Sequence, residues 1–413
     1  MKKSVLPSAV KGTLQAPPSK SAAQRAIAAA SMAAGISEIT GAGQSDDVRA
    51  AIGVCRQLGA TIREESECLS IQGGISLPTS PLHCGESGLG IRMFAGIAAS
   101  LPGEVVLSGG GSLMQRPMHT VEDSLQAMGV SCRATEGKLP LYVKGPFPGG
   151  KATIDGSLSS QILTGILMGS PRASSDTWLQ VHKLKSKPYI DLTMEVMEAF
   201  GVAVDNQDDQ CFYIQHGQAY RNNSFRVEGD WSGAAFLLVA GAIAGEIAVS
   251  GLRSDSRQAD KAILDALEKA GAGLKIGSQL IETWHRPLRA FSFDATHCPD
   301  LFPPLACLAA CCHGETRIKG RERLLAKESD RSATLLDIFS KMGIAIRSEN
   351  DEMIIMGGPI SKASVHSHND HRIAMAAAIS ALRADGPVNI EGAESVNKSY
   401  PAFFKDLQNI CTS

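Results

Sequence analysis

The sequence predicts an α/β protein of two lobes, built from six repeats of the order helix, strand, helix, strand, strand. Two observations predict this fold. First, the glycines that close predicted amphipathic helices recur about every 70 residues, at Gly59, Gly129, Gly201, Gly271 and Gly343. Second, a polar segment precedes an alanine-rich apolar helix at the same step, at residues 19–21, 85–88, 159–161, 230–233, 298–300 and 368–372.

The first repeat gives the pattern in order. Its second helix carries apolar residues at helical spacing, from Val48 to Leu58, and residues 36–39 alternate as a strand does. The predicted elements are a helix at 21–34, a strand at 36–39, a loop at 41–46, a helix at 47–58, and strands at 60–63 and 69–71. The fourth and fifth repeats match it, with helices at 234–244, 259–270, 305–312 and 332–342 and strands at 247–249, near 274, at 280–282, 315–318, 344–346 and 353–355.

The two ends of the chain predict a closed arrangement rather than an open solenoid. Residues 11–14 predict a strand with no helix before it, and the last repeat lacks its final strands. We therefore expect the N-terminal strand to complete the last repeat. Boundaries at Pro17 and Gly229 give lobe I (residues 1–16 and 230–413, repeats four to six) and lobe II (residues 17–229, repeats one to three).

Composition excludes several classes of function. Lys and Arg number 40 against 42 Asp and Glu, for a net charge of −2 in 413 residues, which argues against a general nucleic-acid binder. No apolar run suits a signal peptide or a membrane span. The ten cysteines form no CxxC pair, so we expect reduced thiols in a cytoplasmic protein. The ten histidines show no spacing suited to a metal site.

The polar helix starts favour a site for anions. Glycine and small polar residues at a helix start leave backbone N–H groups available, and the helix dipole adds partial positive charge there. Arg or Lys side chains accompany these starts, as at Lys20, Arg331 and Arg372. Guanidinium groups bind carboxylate and phosphate through paired hydrogen bonds. Six such starts therefore predict a site for a small ligand set that carries several negative charges.

The motifs at these starts resemble those of the enolpyruvyl transferase family, and of its branch that acts on shikimate 3-phosphate. The segments that carry the resemblance occur in the family's order and cover essentially the whole chain: residues 18–26, 83–92, 116–118, 159–161, 186–189, 327–331 and 369–372. The resemblance implies an inside-out α/β barrel. It implies transfer of the enolpyruvyl group of phosphoenolpyruvate to the 5-hydroxyl of shikimate 3-phosphate by addition and elimination. It also implies a monomer with small-molecule partners only and no cofactor.

The resemblance also implies roles for individual residues. The expected catalytic groups are Lys20, Asp300 and Glu328. The expected contacts of shikimate 3-phosphate are Lys20, Ser21, Arg25, Ser159, Ser160, Gln161, Ser186, Tyr189, Asp300 and Lys327. The expected contacts of phosphoenolpyruvate are Lys20, Gly88, Arg116, Gln161, Arg331, Arg372 and Lys398. Gly88 matches the glycine beside which the herbicide glyphosate binds. Which group moves which proton stays open.

Two alternatives are weighed against this interpretation. The related transferase for a UDP-amino sugar carries a cysteine five residues before its Arg-Pro pair, where this chain has Gly111. A non-catalytic binding protein would be expected to lose its acid–base groups, yet Lys20, Asp300 and Glu328 are all present. Two residues also depart from the family's pattern: Glu86 replaces a common Asn, and Arg323 replaces an acidic or amide residue.

Overall fold

A computed structural model describes residues 1–157, 160–325 and 327–412. The chain forms two compact bodies. Lobe I consists of Met1–Pro17 and Glu228–Ser413, and lobe II of Pro18–Val227. Both have the mixed α/β organisation that the repeats predict. Among the described residues, no helix has the length and apolar character needed to cross a membrane.

The first half of the chain runs from two N-terminal strands through three repeats. The N-terminal strands are β1 (Lys2–Val5) and β2 (Ala9–Gln15). The first repeat comprises α1 (Lys20–Met32), β3 (Ile36–Thr40), α2 (Asp46–Gln57), β4 (Thr61–Glu65) and β5 (Cys68–Gln72). The second comprises β6 (Leu82–His83), α3 (Gly88–Ala98), β7 (Glu104–Ser108), α4 (His119–Ala127), β8 (Ser131–Thr135) and β9 (Lys138–Lys144). The third comprises β10 (Gly150–Asp155), α5 (Gln161–Gly169), β11 (Thr177–His182), α6 (Lys187–Ala199), β12 (Asp205–Gln207) and β13 (Cys211–Ile214).

The second half repeats the order. Strand β14 (Ser224–Arg226) is the last strand of lobe II, and the fourth repeat comprises α7 (Trp231–Ala244), β15 (Gly245–Ser250), α8 (Ile263–Ala270), β16 (Gly273–Ile276) and β17 (Leu280–Trp284). The fifth comprises β18 (Ser292–Asp294), α9 (Phe302–Ala310), β19 (Glu315–Lys319), α10 (Arg331–Lys341), β20 (Ala345–Glu349) and β21 (Glu352–Met356). The sixth comprises β22 (Ala363–His366), α11 (His371–Ala381), β23 (Val388–Glu391), α12 (Phe403–Ile410) and β24 (Cys411–Thr412). Short 3-10 helices lie at Gly111–Gln115, Ser170–Arg172, Ala259–Ala262, Pro299–Leu301, Arg321–Leu324 and Ala393–Lys398.

Each repeat contributes one sheet, and each lobe is closed by a strand from a distant part of the chain that joins one of these sheets. In the sheets of the second, third, fifth and sixth repeats, the strand that precedes the first helix runs parallel to the strand after that helix, as β6 does with β7. In lobe II the parallel partner of β3 is β14, which follows the third repeat, so the last strand of this lobe joins its first sheet. In lobe I, β2 takes the matching place beside β15.

The N-terminal prediction was wrong in one respect. The strand predicted at 11–14 exists within β2, but it joins the sheet of the fourth repeat. The strand that completes the last repeat is β1, which pairs antiparallel with β23. Its residues Lys2, Lys3 and Ser4 are all exposed, so the segment shows no apolar alternation from which a strand could be predicted.

The first helices of the repeats form the interior of each lobe. All 14 residues of α7 are buried, as are all 11 of α11. In lobe II, α3 and α5 approach closely because Gly96 and Gly165 face each other's backbone; a Cβ at either position would overlap main-chain atoms of the other helix. The polar residues at the starts of these buried helices are the candidate site residues.

The starts of α7 and α9 both lie three residues before the predicted ones, and that of α9 bears on the site. The helix expected at 305–312 begins earlier, at Phe302, and a 3-10 turn at Pro299–Leu301 precedes it. Pro303 and Pro304 therefore lie in the first turn. Proline is tolerated there because the first N–H groups of a helix have no intrahelical acceptor. The consequence for the site is that Asp300 lies in the turn that leads into α9.

Candidate active site

In lobe II, hydrogen bonds connect the starts of α1, α3 and α5. Ser87 caps α3, since its hydroxyl accepts the N–H of Gly90 at 3.0 Å, and the same hydroxyl donates to Gln24 of α1 at 3.0 Å. Arg92 of α3 donates from Nη1 to Gln161 Oε1 of α5 at 3.3 Å. The three helix starts that the repeats predicted to be polar therefore form one cluster in this lobe.

Lys20 lies in the first turn of α1 and forms an ion pair with Asp47. Its Nζ is 2.8 Å from Asp47 Oδ2, and the two side chains are only 13% and 6% exposed. Asp47 lies in the first turn of α2, where a carboxylate interacts favourably with the helix dipole. The ammonium group is thus held at one place by a carboxylate that is itself fixed.

Arg25 is 1% exposed and is bound mostly by its own lobe. Its Nε donates to Thr193 Oγ1 at 2.9 Å and its Nη1 to the Ser21 carbonyl at 2.8 Å. Its Nη2 donates to Thr164 Oγ1 and to the Tyr189 carbonyl, both at 3.3 Å. Burial lowers the pKa of Arg25 to about 10. Four of the five guanidinium N–H groups therefore have acceptors among the described residues, and one Nη1 N–H is left for a ligand.

Gly88 opens α3 between two guanidinium groups. A Cβ at this position would overlap Nη1 of Arg116 and would lie 3.4 Å from Nη1 of Arg92. Both arginines are nearly buried, at 8% and 7% exposure. Arg116 was predicted from the sequence as a contact of phosphoenolpyruvate, whereas Arg92 was not predicted as a site residue. The signal was available, because Arg92 follows Gly88 by four residues and so lies on the same face of α3, where it donates to the Gly88 carbonyl at 3.0 Å.

The Glu86 carboxylate is hydrogen-bonded to the segment that leads to Arg116. Its Oε2 accepts from both the N–H and the hydroxyl of Ser112, each at 3.2 Å. Gly111 has a φ of +51°, and a side chain there would overlap the Glu86 carboxylate. The extra negative charge of Glu86 is therefore accommodated within its own lobe, by the 3-10 helix that ends at Gln115.

The remaining residues of lobe II lie at the starts of α5 and α6. Ser160 precedes α5 and is 4% exposed. Ser186 precedes α6 with a left-handed backbone (φ +56°), and its carbonyl accepts the N–H of Tyr189 at 3.1 Å. Ser159 lies outside the described residues. Ser21 is half-buried, and its carbonyl accepts from Arg25 as described above.

In lobe I, Arg331 joins three carboxylates. Its Nη1 is 2.8 Å from Asp300 Oδ1, its Nη2 is 2.5 Å from Glu328 Oε2, and its Nε is 2.9 Å from Asp370 Oδ2. Its side chain has no exposed surface. Burial lowers the pKa of Arg331, but Asp370, Glu328 and Asp300 together raise it further, so the net shift is upward. The guanidinium is therefore a permanent cation, around which the acidic groups of the lobe are arranged.

Asp300 lies among three cations. Besides Arg331, its Oδ1 accepts from Lys327 Nζ at 3.2 Å, and its Oδ2 is 3.4 Å from Arg372 Nη2. Burial raises the pKa of Asp300, but Arg372, Lys327 and Arg331 outweigh it and hold that pKa well below its usual range. Burial also lowers the pKa of Lys327. Without ligands, Asp300 is thus a stable carboxylate and a poor proton acceptor.

Arg372 and Lys398 are two further cationic groups of this lobe. Arg372 follows Asp370, which caps α11 by accepting the Arg372 N–H at 3.0 Å. The Arg372 side chain is 6% exposed. Lys398 ends the 3-10 helix Ala393–Lys398 and is 7% exposed. Among the described residues, no group of three or more His, Cys, Asp and Glu side chains has the arrangement of a metal site.

Comparison with known proteins gives one consistent result. Residues 6–407 match the sequence family described as EPSP synthase (3-phosphoshikimate 1-carboxyvinyltransferase). The chain is 36% identical over 419 residues to the 3-phosphoshikimate 1-carboxyvinyltransferase of Clostridium novyi (strain NT), covering 98% of this chain and 96% of the relative. It is 38% identical over 417 residues to the protein of that name from Methanocorpusculum labreanum, covering 99% and 98%.

Solved structures give the same picture. An EPSP synthase structure from Acinetobacter baumannii superposes with a TM-score of 0.84 at 27% identity, covering 99% of this chain and 98% of that one. The enolpyruvyl transferase NikO from Streptomyces tendae superposes with a TM-score of 0.79 and covers 98% and 96%. Its identity is 16%, so this second likeness concerns the fold alone.

Proposed function

This chain belongs to the EPSP synthase family, and from that membership we propose how its side chains divide the work of the reaction. The protein is a transferase of the shikimate pathway. It transfers the enolpyruvyl group of phosphoenolpyruvate to the 5-hydroxyl of shikimate 3-phosphate and releases phosphate. The fold, reaction and enzyme class expected from the sequence are thereby confirmed, and the match to this family favours it over the related transferase for a UDP-amino sugar.

In lobe II we assign shikimate 3-phosphate to the starts of α1, α5 and α6. The single remaining N–H of Arg25 suits one oxygen of the shikimate carboxylate. Ser159, Ser160 and Ser186 are assigned to the 3-phosphate, with Ser21, Gln161 and Tyr189 beside the ring. The positions of Ser160 and Ser186 directly before α5 and α6 support this assignment, because a helix N-terminus attracts an anion such as a phosphate group.

For phosphoenolpyruvate we assign cations in each lobe separately. In lobe II, Arg116 and Arg92 flank Gly88 and suit the phosphate. In lobe I, Arg372 and the Nη1 of Arg331 that faces Asp300 suit the carboxylate, and Lys398 suits the phosphate. The described hydrogen bonds use four of the five N–H groups of Arg331, so this arginine offers one N–H, whereas its main role is to hold the carboxylates.

The electrostatics of Asp300 suggest when it acts. Three cations hold its pKa well below the usual range, so it accepts no proton from a hydroxyl in the free enzyme. Substrate anions that bind to Arg372, Arg331 and Lys327 partly neutralise those cations. The pKa of Asp300 then rises toward that of an ordinary carboxylate, which makes it a better acceptor for the proton of the 5-hydroxyl.

Lys20 and Glu328 are assigned to the methylene carbon of phosphoenolpyruvate. Formation of a tetrahedral adduct requires that carbon to gain a proton, and elimination of phosphate requires it to lose one. Lys20 is held by Asp47, and Glu328 by Arg331, so both are fixed by a partner of opposite charge. Such fixed acid–base groups suit proton transfer at a defined carbon.

The observation that carries this assignment is the Arg331 cluster, which brings Asp300, Glu328 and, through Asp300, Lys327 and Arg372 together in lobe I. Release of phosphate from phosphoenolpyruvate in the presence of shikimate 3-phosphate tests the reaction. Asp300→Asn should lower kcat by at least 100-fold. Exposed Asp294→Asn is a matched control that should keep the parent rate. Equal rates for all three proteins would contradict the role given to Asp300.

The anion contacts have a test of their own. We expect Arg116→Ala and Arg372→Ala to raise the KM for phosphoenolpyruvate by roughly 10- to 150-fold, since a hydrogen bond to a charged group contributes about 1.5–3 kcal/mol. The KM for shikimate 3-phosphate should change much less. Exposed Arg317→Ala is the control. An unchanged KM for phosphoenolpyruvate in both variants would remove these two arginines from the site.

The remaining expectations are also proposals. We propose that the lobes predicted from the sequence, at residues 1–16 with 230–413 and at 17–229, are its structural domains, that the enzyme is a monomer, and that it acts in the cytoplasm. The ten cysteines support the last point, since each is a free thiol and six are fully or nearly buried, as Cys55 and Cys307 are. Size-exclusion chromatography with light scattering tests the monomer.

A further inference from the structure

Contacts of one type recur between the two helix starts of a repeat. The Lys327 ammonium lies 27 residues from its partner Asp300, and Lys20 and Asp47 have the same spacing. In the fourth repeat, Ser232 of α7 and Asp260 of the 3-10 helix Ala259–Ala262 are hydrogen-bonded at a spacing of 28. In the first, fourth and fifth repeats, an acidic side chain thus lies at or beside the start of the first helix.

The fourth repeat differs from the others in the partner of its carboxyl group. Asp47 and Asp300 each face an ammonium group, whereas Asp260 is hydrogen-bonded to the neutral hydroxyl of Ser232. Asp260 is completely buried, and no described residue donates a hydrogen bond to its Oδ1. A buried carboxylate with no cation in contact is costly to ionise.

The charged groups that act on Asp260 come from the starts of α7, α9 and α11. Asp300 and Asp230 are like charges, and Arg372 of α11 is the opposite one. Conversely, the negative charge of Asp260 is among the influences that raise the pKa of Arg372. Asp260 therefore interacts electrostatically with the guanidinium that we assign to the carboxylate of phosphoenolpyruvate, without being assigned to bind the substrate itself.

We propose that Asp260 is a positioning residue whose charge sets the affinity of Arg372 for the anionic substrate. This inference rests on the proposed function, because it takes Arg372 as a contact of phosphoenolpyruvate. When Asp260 is neutral, Arg372 interacts mainly with Asp300 and attracts a further anion. When Asp260 is ionised, a second carboxylate competes with the substrate for the same positive charge.

The direction of the pH dependence follows from burial. Burial, and next the charge of Asp300, raise the pKa of Asp260 to about 7, while Arg372 and the Ser232 hydrogen bond oppose them. Asp260 therefore changes from neutral to charged as pH rises through neutrality. The affinity for phosphoenolpyruvate should fall over that range. By linkage, binding of the anion should favour uptake of a proton.

The test compares the KM for phosphoenolpyruvate of the parent enzyme and of Asp260→Asn between pH 6 and 9, with shikimate 3-phosphate saturating. The ionisation of phosphoenolpyruvate is the same in both assays, so it cancels in the ratio of the two KM values. The pH dependence of that ratio therefore reports ionisation of the enzyme alone. We expect a ratio near 1 at pH 6 that rises to about 3- to 10-fold in favour of Asp260→Asn by pH 8.5, as for one screened charge. The kcat should change less than threefold.

Two further variants keep the result interpretable. Ser232→Ala removes a hydrogen bond that lowers the pKa of Asp260, so the midpoint of the change should move to higher pH. Asp265→Asn alters an exposed carboxylate of α8 and should follow the parent at every pH. A merely structural role would lower stability or raise KM equally at all pH values, and that result would overturn the proposal.

The role of Asp260 and the assignment of Arg372 can be tested separately. If the KM ratio stays constant with pH while Arg372→Ala still raises the KM for phosphoenolpyruvate, the role of Asp260 is wrong and the assignment of Arg372 stands. If Arg372→Ala leaves that KM unchanged, the site assignment itself is wrong. In that case, a pH-dependent ratio for Asp260→Asn would have to be attributed to another cation.

Discussion

At the scale of single residues, the arginines of this protein divide into two kinds. Arg25 and Arg331 are fully buried, and each uses four N–H groups on its own lobe, so they fix neighbouring groups and offer one N–H each. Arg92, Arg116 and Arg372 keep 5–8% of their surface exposed. This division indicates which cations organise the site and which remain accessible to a substrate anion.

Gly88 provides a test of that division. Replacing it with alanine places a methyl group on Nη1 of Arg116, and the flexible guanidinium must move away. We expect the KM for phosphoenolpyruvate to rise roughly 5- to 10-fold, in the range of overpacking costs of about 1–3 kcal/mol. We propose that glyphosate inhibits the parent enzyme, and we expect this inhibition to weaken at least as much in Gly88→Ala, because the inhibitor is longer than the substrate.

Steady-state kinetics with both compounds measure this effect. Gly110→Ala is the matched control: it lies in the segment that leads to Arg116, and a Cβ there has no neighbour within 4 Å. The control should keep the parent KM. Parent-like kinetics for Gly88→Ala would mean that Arg116 does not lie against the substrate, and that Gly88 serves the turn alone.

The sequence revealed these residues unequally, for a physical reason. A motif shows which residue types gather at a helix start, so Lys20, Arg331 and Arg372 could be singled out. It does not show which contact each side chain makes. Asp260 and Arg92 were missed because their importance depends on burial and on partners distant in the chain, which are Ser232 for Asp260 and Gln161 of the third repeat for Arg92.

At the scale of elements, helix packing decides where the polar starts can meet. In lobe II, α3 and α5 come close enough for Arg92 to reach Gln161 because Gly96 and Gly165 have no side chains. The repeat order and most element positions were predictable from periodicity. Helix boundaries were less predictable. Helix α9 begins at Phe302 because its two prolines are tolerated in a first turn, and the pattern of apolar residues alone does not show this.

A pair of glycine variants tests this packing. Gly96→Ala should lower the free energy of unfolding by about 1–3 kcal/mol, because its Cβ would overlap the backbone of α5. Gly53→Ala lies in α2 with no neighbour within 4 Å, so it should raise that free energy by about 0.5–1 kcal/mol. Urea denaturation followed by circular dichroism measures both. Equal effects of the two substitutions would show that helix propensity, and not helix contact, governs Gly96.

At the scale of the whole molecule, closure of lobe I brings the first residues of the chain to a site residue near its end. β1 pairs with β23 over four residues, from Lys2 with Glu391 to Val5 with Val388. The carbonyl of Met1 then accepts the N–H of Ala393, which opens the 3-10 helix that ends at Lys398. The polar sequence of β1 did not reveal this role, because the strand contributes backbone hydrogen bonds rather than apolar side chains.

Removal of β1 should therefore affect both stability and function. Deletion of residues 1–5 leaves β23 with β22 as its one remaining strand partner among the described residues and frees the start of the helix that carries Lys398. We expect a loss of about 2–4 kcal/mol in the free energy of unfolding, as for several backbone hydrogen bonds at about 0.5–1.5 kcal/mol each. The KM for phosphoenolpyruvate should rise several-fold, and that for shikimate 3-phosphate should not.

The control keeps the strand and removes only its charges, by Lys2→Ser together with Lys3→Ser. Both side chains are exposed, so this variant should match the parent within about 0.5 kcal/mol. Urea denaturation and steady-state kinetics on the three proteins separate the two contributions. If the deletion lowers stability but leaves the KM for phosphoenolpyruvate unchanged, then the 3-10 helix keeps its place without β1, because β23 and α11 hold Lys398 by themselves. If neither quantity changes, the pairing of β1 with β23 contributes nothing to the closure of lobe I.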